Sequence, residues 1–196
     1  MECRSIESGL HIHPEKLKVA LQEIIDEITA DTKSIILGYG LCSMAVIGLN
    51  AAHSTLVVPR QDDCVGLFLG SRQRYKEELK NEPGTYFISK GWIDAKITLL
   101  DELKIMEERY GKERAKSLMK RMLKHYVRIA FIDMGYQDHE AYREYSRQAA
   151  KEFDLSYHEI EGTTEMLKKM VNGPWDDGFV VAPPGHKISL EDFGLV

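Results

Sequence analysis

Cysteine is scarce in this chain. There are three in 196 residues, an odd number that does not read as a disulfide framework. In a chain that looks cytosolic, Cys3, Cys42 and Cys64 are expected as free thiols or metal ligands. Long apolar runs are missing too. No stretch approaches the roughly 20 residues a membrane helix needs, and Met1-Glu2-Cys3-Arg4 opens without the apolar run of a signal peptide. A cytoplasmic protein without a membrane partner is expected. There is no Walker loop, Gly-x-Ser-x-Gly elbow or His-Glu-x-x-His pair, which disfavours the enzyme classes built on them. Low-complexity segments and short repeats are absent, and 43% hydrophobic with 29% charged residues is a globular composition. Excess positive charge is lacking as well. The formal charge is −5, and acidic residues interleave the basic ones from Glu107 to Lys124, so no nucleic-acid partner is expected.

What the chain does have is short apolar runs alternating with amphipathic segments. A short strand is read over 3–8, then a helix from Pro14 whose Leu17, Leu21, Ile24 and Ile28 share a face. Ser34 to Leu37 reads as a buried strand, followed by Gly38-Tyr39-Gly40-Leu41-Cys42 and a second helical run to about Ala51. Thr55 to Val58 is the next strand, closed by Pro59, and Asp62-Asp63 caps a helix running toward Tyr75. Strand 85–88 precedes helices over 93–109 and 112–125. Strand 128–132, helix 138–153, strand 155–160, a helix from Thr163 and strand 178–182 complete the order. This alternation predicts an α/β fold with Rossmann-like parallel sheets and flanking helices, in two similar halves around a cleft. The division expected is 1–92 for the first half, 93–126 for a helical connection and 127–196 for the second half.

Ligands of open α/β sheets bind beyond the carboxyl ends of the strands. Gly38 and Gly40 stand there, where glycine lets backbone approach a ligand and a following helix start would offer amides to an anion. The same two glycines suit a simple strand-to-helix turn. Cys42 and Cys64 each follow a strand and could share zinc or iron, or be buried small hydrophobes. His11, His13, His125 and His186 are candidate ligands or proton carriers as well as surface residues. Of these, His186 is singled out by the rigid Pro183-Pro184-Gly185 loop before it. Arg60, Asp63, Ser71, Arg72 and Arg128 are read as a small ligand site near the two thiols, arginine being suited to carboxylate or phosphate.

Several of these stretches occur together in one known family. Leu10-His11-Ile12-His13-Pro14, Gly38-Tyr39-Gly40-Leu41-Cys42, Pro59-Arg60 with Asp63-Cys64, Gly70-Ser71-Arg72, Gly84-Thr85-Tyr86, Gly91-Trp92, His125-Tyr126 and Pro184-Gly185 resemble the domain of unknown function 1638 family over nearly the whole chain. The resemblance implies cysteines placed after successive strands, and with them a bound metal. It also implies proximity to corrinoid-dependent methyltransferase systems of anaerobes. Relatives carry a further cysteine strand upstream of the Leu-His-x-x-Pro segment; here Met1 stands just before that segment, and Cys3 does not match the position.

The expectation is a cytoplasmic protein that binds zinc or an iron–sulfur cluster, linked to anaerobic one-carbon metabolism. Cys42 and Cys64 would be its ligands, with His186 or Cys3 as a third. Its expected partners are a small-molecule ligand, a corrinoid or methyltransferase protein and a second copy of the chain. The alternative is a metal-free protein that binds a phosphate-bearing or corrinoid-like molecule through Gly38, Gly40 and Arg60, or an accessory subunit.

Overall fold

The computed structural model describes residues 2–6, 10, 13–42 and 44–195. Its chain is α/β, with strands β1 (Ser34–Ile36), β2 (Thr55–Pro59), β3 (Thr85–Ser89), β4 (Arg128–Asp133), β5 (Ser156–Glu161) and β6 (Phe179–Ala182). Helices α1 (Pro14–Asp26), α2 (Cys64–Leu69), α3 (Arg72–Asn81) and α4 (Lys90–Asp94) accompany the earlier strands. α5 (Leu99–Tyr110), α6 (Lys112–Met122), α7 (His139–Glu152) and α8 (Glu165–Asn172) follow. None of the described helices is long and apolar enough to cross a membrane.

The chain folds as two compact units. The first takes the residues up to Arg74 and again from Thr164 onward; the second is Tyr75–Thr163. The boundaries expected at 92 and 126 both fall inside the second unit, and the last strand returns to the sheet of the first. The sequence hides this because β6 pairs with a strand far back in the chain, which local periodicity does not register.

In the first unit the strand order is β1-β2-β6. β1 runs parallel to β2, with Ile35 opposite Leu56, whereas β6 runs antiparallel, with Phe179 opposite Pro59 and Ala182 opposite Leu56. A parallel β6 was the expectation. The crossover argument fixes direction only for strands joined by a single helix, and β6 is not joined to β2 in that way. One sheet face, with Leu56, Val58, Val180 and Ala182, packs on Leu17, Leu21 and Ile25 of α1. The other face sets Val57 and Phe179 against Leu67 of α2 and Met166 of α8.

The helical run expected from Cys42 to Ala51 is not a helix among its described residues but a series of turns. Positive φ angles at Cys42 (44°), Met44 (71°) and Gly48 (87°) are incompatible with a right-handed helix. The apolar spacing is nonetheless used, because Ala45, Val46, Leu49 and Ala51 are buried in the same core. No strand forms over residues 2–6, the described start of the expected strand 3–8; Glu7 and Ser8 lie outside the described residues.

The second unit holds a wholly parallel sheet in the order β3-β4-β5. Ile88, Ile129 and Phe131 pack on Leu99 and Leu103 of α5, Ala115 and Met119 of α6, and Ala149 and Ala150 of α7. Gly111 (φ 79°) separates α5 from α6 where the sequence places the break.

Candidate functional site

The carboxyl ends of β1 and β2 lie side by side in the first unit, and so do the loops that follow them. Leu37 N–H donates to the Val57 carbonyl (2.9 Å), Leu41 N–H to that of Gln61 (2.8 Å), and Cys42 N–H to that of Asp62 (3.2 Å). The pairing of the strands is thus carried on between the loops. Gly40 permits it, since a β-carbon there would stand 2.6 Å from the Gln61 carbonyl oxygen. Gly38 has no such role, because a β-carbon would meet only the Met170 methyl at 3.9 Å. Among the described residues no helix begins after the glycine loop, so the expected helix amides for an anion are not supplied by them.

Asp63 caps α2, its Oδ1 accepting the Val65 N–H at 2.8 Å. Cys64 is the first residue of that helix. Both thiols are partly buried and sense Asp63, and Cys64 also senses Cys42. Burial, aided by the Asp63 charge, pushes Cys42 up to about 11 and Cys64 up to about 12; the Cys42 charge also raises Cys64. Tyr39 is raised by burial and by Cys42. At neutral pH these are protonated, weakly nucleophilic thiols.

A structural zinc or an iron–sulfur cluster takes about four protein donors. Among the described residues no three His, Cys, Asp or Glu side chains converge to hold an ion. His186 does not join the thiols. The antiparallel β6 carries it off the edge where β2 begins, opposite the edge that leads to Cys64. There Gly185 N–H donates to the Ala51 carbonyl (2.7 Å), and the imidazole Nε2 lies 2.9 Å from Asp192 Oδ2. Cys3 is exposed beside Arg4, which pairs with Glu2 and Glu27. The described residues therefore do not fit zinc or a cluster within one chain. His11 lies outside them.

Of the expected anion-binding residues, Arg72 is already engaged. Its Nε and Nη2 donate to Asp62 Oδ1 (2.9 and 2.6 Å) and its Nη1 to the Phe193 carbonyl (2.9 Å). Ser71 Oγ accepts the Arg74 N–H (3.1 Å). Arg128 belongs to the second unit, where it pairs with Glu78 (3.0 Å) and Thr85 (2.6 Å). Arg60 differs from all of these. Its backbone N–H reaches the Gly178 carbonyl (2.8 Å), but its Nε is buried without an acceptor. The neighbouring Gln61 is 2% exposed, and its buried Oε1 lacks a donor. Its side chain rests on Gly66, the one residue type that leaves it room.

A second polar constellation escaped the sequence reading. Asp133 ends the central strand of the parallel sheet. It accepts from Gly135 N–H (3.0 Å) and Arg143 (2.7 Å), with His139 Nδ1 at 2.6 Å. A carboxylate directly after a buried strand, followed by Met134-Gly135, was the available signal.

Among the described residues, the fold and the site define an α/β protein with two partly buried thiols and, at a strand edge, an arginine whose buried Nε has no acceptor. The family model described as "Protein of unknown function (DUF1638)" matches residues 5–171, and the chain belongs to that family. No curated protein and no solved structure matches it.

Proposed function

We propose that the first unit binds a small molecule through an oxyanion, a phosphate or carboxylate, at the carboxyl edge of β1 and β2. The observation that carries this reading is the buried Arg60 Nε without an acceptor. An orphaned buried donor costs about 1–3 kcal/mol, and a ligand oxygen would relieve that cost while meeting a cation. Arg72 has its donors taken by Asp62 and Phe193, so it shapes the site and does not serve the ligand. Gly40 holds the two loops together beneath it. The protonated thiols and Tyr39 supply a soft, weakly polar wall. A phosphate-bearing corrinoid is one molecule of this chemistry.

Thermal unfolding in millimolar inorganic phosphate tests the reading. Wild type should gain melting temperature as phosphate rises, following the logarithmic dependence of ligand linkage, and Arg60→Ala should not. An equal gain in both proteins, or none in wild type with either phosphate or acetate, would reject it. Elemental analysis of anaerobically purified protein separates this reading from the thiolate–metal one. A stoichiometric metal lost in Cys64→Ser would favour the metal.

A further inference from the structure

A cavity of about 490 Å³ opens on the second unit. Its floor is apolar: Leu103 from α5, Met119 from α6, Leu123 just past its end, and Phe153 and Leu155 from the junction of α7 with β5. Tyr126 forms an aromatic side wall, its ring held edge-on against Tyr86 with centroids 6.0 Å apart. Along the rim stand Lys116, Lys120 and Lys124, which recur every four residues and so share one side of α6 and its extension.

The rim also carries two carboxylates, Glu152 and Asp154. Glu152 lies 3.5 Å from Lys116 and offsets its charge. Among the described residues, neither Lys120 nor Lys124 has a carboxylate within ion-pair distance. Two exposed ammonium groups thus face one remaining carboxylate, and the mouth is locally positive on a chain of net charge −5. A cation at this point also suits the carbonyl end of α6, but that interaction requires neither a cavity nor an apolar floor.

We infer that this cavity binds an amphiphilic organic anion, an apolar aromatic or short acyl body carrying one carboxylate, sulfonate or phosphate. The volume falls in the range of small-molecule pockets, roughly 300–1,000 Å³, lined mainly by apolar side chains with a few placed polar groups. The body would lie on Leu123, Phe153 and Leu155 against the Tyr126 ring. The head would sit in the mouth between Lys120 and Lys124, where it stays near water and avoids the cost of burying a charge.

The probe is 8-anilinonaphthalene-1-sulfonate, whose fluorescence rises on entering an apolar site, used on the full chain with near-UV circular dichroism as the check of native packing. Wild type should bind one probe molecule, more weakly as salt is raised. The doubly substituted Lys120→Glu/Lys124→Glu protein should bind about tenfold more weakly or worse, on the order of 1.4 kcal/mol. Leu155→Trp should fill the cavity and abolish binding without altering charge. Decanoate or phenyl phosphate should displace the probe from wild type. No fluorescence rise in wild type, unchanged affinity in either variant, or failure of both competitors would overturn the inference.

Discussion

The α-carbon of Gly40 lies so near the Gln61 carbonyl that a β-carbon would sit 2.6 Å from that oxygen and 3.2 Å from the Asp63 nitrogen. The obstacle is backbone on both counts, and the same carbonyl accepts the Leu41 N–H. It cannot swing aside without breaking the link between the loops. Gly40→Ala should therefore destabilise the protein by about 1–3 kcal/mol, the usual cost of overpacking. Gly38→Ala should be nearly neutral, because its nearest neighbour is a flexible methionine methyl at 3.9 Å. Denaturant midpoints of the two variants check this. Equal losses would mean that the two glycines serve the same turn.

The thiols give a second test. In the folded chain Cys42 titrates at about 11 and Cys64 at about 12, against 9.0 for the free group, because burial and then Asp63 disfavour the thiolate. Above pH 9 the unfolded chain releases these protons and the folded chain keeps them. Stability is therefore intact below pH 9 and falls as pH rises toward 11 and 12. Replacing both cysteines by alanine should flatten that alkaline loss, as read from denaturant unfolding at pH 8 and pH 10. At neutral pH, Cys64→Ser should cost about 1–3 kcal/mol by placing an unpaired hydroxyl in a partly buried pocket. Cys64→Ala should be milder. A serine variant as stable as the alanine one would show that a partner reaches the hydroxyl.

Much of the fold was legible in the sequence because apolar periodicity reports burial. The run Arg128 to Ile132 is β4 to within one residue, and Leu17 and Leu21 are buried on α1. The Asp63 cap was legible too, since a carboxylate before an apolar run suits the free amides of a helix start. The helix after Cys42 failed for a specific reason. Ala45, Val46 and Leu49 have helical spacing, but burial follows from packing, and Cys42 and Met44 occupy left-handed backbone that no residue type announces. His186 was misplaced because strand direction is a property of pairing, and β6 pairs with a strand far away in sequence. Arg60 and Arg72 looked alike as residues. Only tertiary contacts distinguish the one that is satisfied from the one that is not.

That difference predicts opposite behaviour. Arg72 ties Asp62 to the Phe193 carbonyl and is 19% exposed at its side chain. Arg72→Ala leaves a carboxylate and a carbonyl without their donors and should lower stability by about 1–3 kcal/mol. Arg60→Ala removes an unsatisfied donor, so its melting temperature should stay close to that of wild type. Thermal unfolding of the two variants without added ligand decides. A large loss in Arg60→Ala would make Arg60 a structural ion-pair partner and remove it from the proposed site.

Asp133 carries the last prediction, which concerns acid. Burial alone would raise its pKa. The Gly135 N–H, His139 and Arg143 outweigh that effect and hold the carboxyl below its usual range. Three donors share two carboxylate oxygens, and both oxygens are in use. An asparagine keeps the shape but offers one oxygen and one NH2, so at least one donor loses its acceptor. Asp133→Asn should cost about 1.5–3 kcal/mol at pH 7, the range of hydrogen bonds to charged groups. Because the folded carboxyl titrates below the unfolded one, near 3.9, its stabilisation is fully present above that value. It is lost as pH falls through the folded pKa, so wild type and Asp133→Asn should converge in stability at strongly acid pH. Denaturant unfolding of both proteins between pH 7 and pH 2.5 measures the gap. A gap constant across that interval would mean that packing, not the charge of Asp133, joins β4 to the first turn of α7.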